Sequence, residues 1–169
     1  MTPNEPAAAA GQPREQRRSR AIAMSAGELD TFLGGEHTCR VATVSATGEP
    51  HVAPLWFVWV DGALWLNSIV RSQRWTDLGR DPRIAVVVDA GTDYRELRGV
   101  EIKGRAEAVG DVPRSAEPDP LLTDVETAYA RKYSGTDAFT PDGRHGWLRI
   151  RPEKVTSWDF RKNAALRRP

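Results

Sequence analysis

From Cys39 to Val109 the apolar positions follow the pattern of strands, and stretches with helical spacing precede and follow this region. Ser25 with Glu28 three residues on forms a capping-box signature. Leu29, Phe32 and Leu33 supply one apolar face, so a helix is expected from Ser25 until Gly34-Gly35 ends it. Cys39–Ala46 is rich in β-branched residues and reads as a strand, with a turn at 47–50. His51–Val60 is a long apolar strand, Asp61-Gly62 a hairpin signal, and Ala63–Ile69 the returning strand. Ser72–Gly79 reads as a short helix with Trp75 and Leu78 three apart. Pro82–Asp89 is a continuous apolar strand and 90–96 a loop. Leu97–Val109 is a further strand, in which Gly99 and Gly104 suggest bulges or bends. Asp119–Tyr133 is expected to be a helix with Leu122, Val125, Tyr129 and Tyr133 on one face. After a loop at 134–143, Trp147–Ile150 and Lys154–Phe160 read as two last strands separated at Pro152.

Hairpin-connected strands dominate this order. The expected class is mainly β: six to seven mostly antiparallel strands closed as a barrel, with peripheral helices. The 169 residues suit one domain with tails. Residues 1–21 are rich in Ala, Pro, Gln and Arg without an apolar period and are expected to be disordered. Residues 22–162 form the folded unit and 163–169 a basic tail. Met24 is a second possible start of translation.

Net charge is +1, which gives no global case for a nucleic-acid or membrane partner. The charge is uneven: residues 1–20 carry a net +2, residues 161–169 a net +4, and the body between them about −5. The single cysteine, Cys39, excludes an intramolecular disulfide and fits a reducing compartment. It is expected to be a buried strand residue rather than a nucleophile. Without an 18-residue apolar run or a secretory leader, a cytoplasmic location is expected. His37, His51 and His145 lie far apart with no metal-ligand spacing, so no metal is expected. No nucleotide-binding glycine motif and no evident carboxylate pair stand out. An enzyme of this kind would rely on a cofactor, and catalytic residues are not identified.

Residues 51–89 combine an apolar wall with a polar helix start. Ala53, Pro54, Leu55, Trp56 and Phe57 form the wall. Pro54 lacks an N–H and suits an edge or irregular point of a sheet, where free backbone groups could bond the polar rim of a flat ring. Trp56 and Trp59 face opposite sides unless a bulge intervenes. Ser72 is a good N-cap, and a helix start attracts phosphate. Arg74 in the first turn is disfavoured by the helix dipole unless an anion sits there; otherwise it is solvated or pairs with Asp77 or Asp81. Six tryptophans in so small a barrel suggest a large dimer interface.

These residues carry a resemblance. Gly48-Glu49-Pro50, Pro54-Leu55-Trp56-Phe57, Ser68, Arg74, Leu78, Asp81-Pro82-Arg83 and Val88-Asp89-Ala90 resemble the split β-barrel flavoproteins related to pyridoxamine 5′-phosphate oxidase. More narrowly, they resemble the actinobacterial branch that uses the deazaflavin coenzyme F420. The resemblance covers about residues 25–110 and resumes at 145–162. It implies a homodimer with two cofactor sites at the subunit interface. Ala53–Phe57 would bond the ring through their backbone. Asn67, Ser68, Ser72, Gln73 and Arg74 would surround the phosphate. Val88, Asp89, Ala90, Gly91 and Tyr94 would lie near the rest of the cofactor, and Trp158 and Arg161 would reach the site from the partner chain.

Two departures bear on the chemistry. The oxidases proper have Ser-Arg-Lys at the helix start, where this chain has Ser72-Gln73-Arg74, and they end in a histidine-containing basic motif, where this chain has Trp158-Asp159-Phe160-Arg161-Lys162. Both point away from vitamin B6 oxidation. The expected function is an F420H2-dependent reductase passing a hydride to an activated double bond or quinone-like small molecule. The alternatives are an FMN-dependent oxidoreductase on the same fold, or a carrier of F420, flavin or haem without catalysis.

Overall fold

Six strands, each paired antiparallel to its neighbours, close into a barrel in the order β1 (Thr38–Val44), β2 (Pro50–Val60), β3 (Ala63–Ile69), β6 (His145–Asp159), β5 (Arg98–Val109), β4 (Arg83–Ala90). The computed structural model describes Gln16 and residues 20–163. A 3-10 turn at Arg20–Ile22 leads into α1 (Ala26–Gly35), β1 (Thr38–Val44), β2 (Pro50–Val60) and β3 (Ala63–Ile69). Then follow α2 (Gln73–Arg80), β4 (Arg83–Ala90), β5 (Arg98–Val109), α3 (Thr123–Ser134), β6 (His145–Asp159) and a second 3-10 turn at Phe160–Lys162. No helix among the described residues is long and apolar enough to cross a membrane.

Local chemistry sets these boundaries. Ser25 Oγ accepts from Glu28 N–H while the Glu28 carboxylate accepts from Ser25 N–H at 2.7 Å, so the capping box starts α1. The Asp61-Gly62 turn has φ of 51° and 67°, the pair of positive values that matches strand twist in a two-residue hairpin. α3 ends on Gly135, which adopts the left-handed conformation.

Apolar side chains fill two regions. Cys39, Val41, Phe57, Leu64, Leu66, Val86, Val88, Val100, Ile102 and Ile150 fill the barrel with Phe32, Leu33 and Leu78 from α1 and α2. A second cluster lies where α3 packs outside, with Val58, Trp65, Val109, Leu122, Val125 and Trp147. β3 therefore has both faces covered, which is why it reads as an unbroken apolar run.

The end of the chain departs from expectation. The two strands foreseen on either side of Pro152 are one strand of 15 residues. Lys103 faces Lys154 and Gly104 faces Pro152, so Glu153 is an extra residue at a bulge. A bulge tolerates proline because the missing N–H is not needed in the ladder. A Cβ on Gly104 would lie 2.3 Å from the Arg151 carbonyl oxygen, so the bulge needs glycine opposite it. Gly99 has a different reason: a Cβ there would lie 2.4 Å from Cζ2 of Trp158. It marks a close approach, not a bulge.

Nor do the tryptophans form an interface patch. Trp65 and Trp147 are buried, Trp59, Trp75 and Trp158 are half-buried in their own chain, and only Trp56 is exposed. Trp56 and Trp59 point to opposite sides of β2, as simple alternation requires: Trp59 packs on the inner core and donates to Asp30, and Trp56 packs outside against α3.

The disorder expected for residues 1–21 and the basic tail 163–169 lie almost wholly outside the described residues. Gln16 is described, and its side-chain amide exchanges two hydrogen bonds with the Ser157 backbone, at 3.1 and 2.8 Å.

Candidate functional site

β2 and β3 pair only from Phe57↔Leu66 to the turn, and beyond that β3 pairs with β6 alone while β2 pairs with β1 alone. The barrel wall is thus split between residues 50–56 of β2 and Asn67–Ile69 of β3. The split closes at Phe57. On the other side of β2, the Phe57 N–H donates to the Tyr133 hydroxyl at 2.9 Å, and that hydroxyl lies 2.8 Å from the Phe57 carbonyl and 2.7 Å from the His37 carbonyl, so it bridges the end of the β1–β2 pairing. A strand turns the backbone groups of alternate residues to one edge. The two-residue turn pairs Val60 with Ala63, so Val58, Trp56 and Pro54 turn their backbone groups to the β3 side, while Ala53 and Leu55 turn theirs to Val41 and Cys39 of β1. Trp56 and Pro54 thus face the split, where the described residues place no strand opposite. Pro54 spends no donor there.

Leu55 and Phe57 send their side chains into the barrel core, and their backbone groups face Cys39 of β1 and the Tyr133 hydroxyl. Trp56 lies outside and is 53% exposed. One of its faces stacks on Tyr133 at 4.4 Å, and Tyr129 lies 6.3 Å away.

On the inner side of the split, α2 plugs the barrel end. Ser72 Oγ is the N-cap and accepts from Trp75 N–H at 3.2 Å. Gln73 donates to Asp77 at 2.9 Å, and Asp77, itself buried, also meets the Thr43 hydroxyl and Arg80. Arg74 is only 6% exposed. It donates through Nη2 to Ser68 Oγ at 3.0 Å, and its Nε has no partner. Neither Asp77 nor Asp81 neutralises it: Asp77 bonds as above, and Asp81 is held by Arg83 at 2.6 Å. Burial pulls the guanidinium pKa down, but arginine remains charged. The same burial pushes the Cys39 thiol up to about 12, so Cys39 is an inert core residue.

Two buried side-chain nitrogens lack partners among the described residues: Arg74 Nε and Asn67 Nδ2. Both are donors, and both belong to the set expected around a phosphate. Buried donors are normally paired; Arg74 Nε, inside the barrel, fits an anionic ligand, while Asn67 Nδ2 lies on the opposite, outer face of β3.

The remaining expected residues lie around the far ends of β4, β5 and β6. Val88 is wholly buried in the core and Ala90 packs against it. Asp89 is paired with Arg40 of β1, Gly91 starts the loop, and the exposed Tyr94 stacks on Phe160 at 5.0 Å. Trp158 covers Gly99, and Arg161 is held by Asp159 at 2.6 Å. Arg40 faces Pro54 on one side and Val87 on the other, so β1 lies between this group and the β2 wall. The chain brings Ser68 and Arg74 together on the inner side of the split, places Asn67 with Trp56 on its outer side, and leaves the second group across β1.

Sequence reasoning missed the outer layer of the split. A cleft of about 320 Å³ is lined by Trp56, Asn67, Tyr129, Phe139, Asp142 and His145, among others. His145 Nδ1 lies 2.8 Å from Asp142 Oδ2. The Asp142 carboxyl is held down at about 2, first by the Arg144 N–H and then by His145. Arg114 at the cleft is 4% exposed, with every nitrogen spent on Glu126 or on the carbonyls of Ser115 and Glu117. Lys132 on α3 donates to the Leu33 carbonyl and lies 4.2 Å over the Phe57 ring; burial lowers it to about 8. The available signal was the Tyr129/Tyr133 face of the helix, which reads as core.

A six-stranded antiparallel barrel with this split has the split β-barrel fold. The pyridoxamine 5′-phosphate oxidase family profile matches residues 25–159, and the chain belongs to that family. A conserved hypothetical protein from Mycobacterium tuberculosis is 31% identical, with 89% of this chain and 92% of that one covered and a TM-score of 0.73. An F420 reductase is 21% identical over 75% of this chain and 94% of its own, with a TM-score of 0.56. An FAD-binding protein from Mesorhizobium loti is 24% identical over 80% and 93%, with a TM-score of 0.61. These last two likenesses are of fold. A search among curated proteins found no match.

Proposed function

We propose that this chain is a homodimeric, F420H2-dependent reductase of an activated double bond or quinone-like acceptor. The observation that carries the reading is the unpartnered buried donor Arg74 Nε, beside a free strand edge. When bound, reduced F420 supplies a hydride. The residues of the chain bind and orient. Arg74, anchored by Ser68, would meet a phosphate with a fixed charge, and the backbone groups of Pro54 and Trp56 at the split would bond the polar rim of the ring. The buried wall of Leu55 and Phe57 keeps water from the inner side. A deazaflavin is favoured over FMN by the single cation of Ser72-Gln73-Arg74 and by the F420 reductase among proteins of this fold.

Titration of the purified protein with F420 and with FMN tests this. Tighter saturable binding of F420, followed by its oxidation in the presence of an enone or quinone, is the expected result. Preference for FMN would move the chain to the flavin-dependent alternative, and binding without turnover would make it a carrier.

A further inference from the structure

The outer cleft has a chemistry of its own. Trp56, Tyr129 and Phe139 give it aromatic walls, and its volume of about 320 Å³ is at the small end for ligand pockets. Its charges cancel internally. The Arg114 nitrogens are all engaged, and Asp142 is occupied by His145 and by two backbone N–H groups. No lining cation is therefore spare to hold an anion. Two polar functions are left over. Asn67 has an amide nitrogen with no partner. His145 turns Nδ1 to a carboxylate, which fixes the proton on Nδ1 and leaves Nε2 without a protein partner among the described residues.

We infer that this cleft is a binding pocket for a neutral, planar, carbonyl-bearing compound, and that it holds the electron acceptor of the reaction proposed above. The rings of Trp56, Tyr129 and Phe139 take the flat body. The Asn67 amide donates to the carbonyl oxygen, and the His145 imidazole, positioned by Asp142, meets a second polar group. Asn67 and Trp56 both line the cleft and flank the split, so the pocket adjoins the β2 edge. This inference rests on the reading of the chain as a reductase only for the ligand's role; the pocket itself stands on its own chemistry.

Calorimetric titration of the full chain with 2-methyl-1,4-naphthoquinone, without and with F420, tests it. Saturable binding is expected in both states. A sulfonated naphthoquinone of the same ring is expected to bind at least tenfold more weakly, because nothing in the cleft compensates its charge. Asn67→Leu and His145→Gln are each expected to weaken the neutral quinone at least fivefold, and Phe139→Ala serves should Asn67→Leu not fold. Absence of saturable binding to the wild-type chain overturns the pocket, as does equal binding of the sulfonated probe or unchanged binding in folded variants. Quinone binding by a chain that takes neither F420 nor FMN would leave the pocket standing and remove the reductase reading.

Discussion

Arg74 and Ser68 meet inside the barrel wall, guanidinium to hydroxyl at 3.0 Å, and no carboxylate joins them. A buried cation anchored by one neutral hydroxyl costs stability. The cost makes sense if a ligand supplies the missing charge. Arg74→Met should therefore leave the melting temperature of the cofactor-free chain unchanged or raise it, and weaken a phosphate-bearing cofactor by about 1.5–3 kcal/mol, the scale of a hydrogen bond to a charged group. Thermal melts and cofactor titrations read the two effects separately. A destabilised variant with unaltered affinity would make Arg74 a structural residue.

The Tyr133 hydroxyl bridges Phe57 of β2 and His37, at the end of the β1–β2 pairing. It accepts from Phe57 N–H at 2.9 Å and donates to one of two carbonyls. Tyr133→Phe leaves that N–H without its partner at the point where the β1–β2 ladder ends. A loss of about 1–3 kcal/mol is expected in urea unfolding, because an unsatisfied donor costs its full desolvation. No change in midpoint would mean that water replaces the hydroxyl there.

What was legible in the chain was local. The Ser25/Glu28 box, the Asp61-Gly62 turn and the Ser72 cap announce themselves because each is made by residues within four positions of one another. Barrel closure followed from alternation and short connections. The unity of β6 was hidden, because Pro152 breaks a strand unless the partner strand provides a bulge, and that partner is remote in sequence. The burial of Arg74 was hidden for a similar reason: a first-turn cation reads as exposed until the barrel end closes over it. The place of Tyr129 and Tyr133 beside the site depends on where α3 docks, and no periodicity encodes that.

Lys132 should give the stability a basic limb. Its folded-state pKa is lowered by burial from an ordinary 10.5 to about 8. Between these values the unfolded chain binds the proton and the folded chain does not, so stability from this group rises with pH across the window. Below about 8 the lysine is charged in both states and its desolvation cost is fully felt. Relative to Lys132→Met, the wild-type chain should gain stability between pH 8 and 10.5. Parallel unfolding profiles of the two proteins over that range would show that Lys132 titrates normally.

The outer faces of β1 and β2 carry Val44, Val52 and Trp56 at 41, 67 and 53% exposure, with Pro54 between the last two. Val52 faces Ala42 across the strand pair, so the patch continues over β1. Contiguous exposed apolar surface of this kind marks an interaction face. The group at the ends of β4, β5 and β6 lies across β1 from the split, so a second copy docked on this patch would bring its own residues beside both. Val52→Glu places a charge in the middle of the patch without touching the core. The expected outcome is a dimer for the wild-type chain in sedimentation velocity and a folded monomer for the variant, with weaker cofactor binding because each site loses its partner. A wild-type chain that stays monomeric at tens of micromolar would sink the idea. A variant that stays dimeric would move the interface to another face of the barrel.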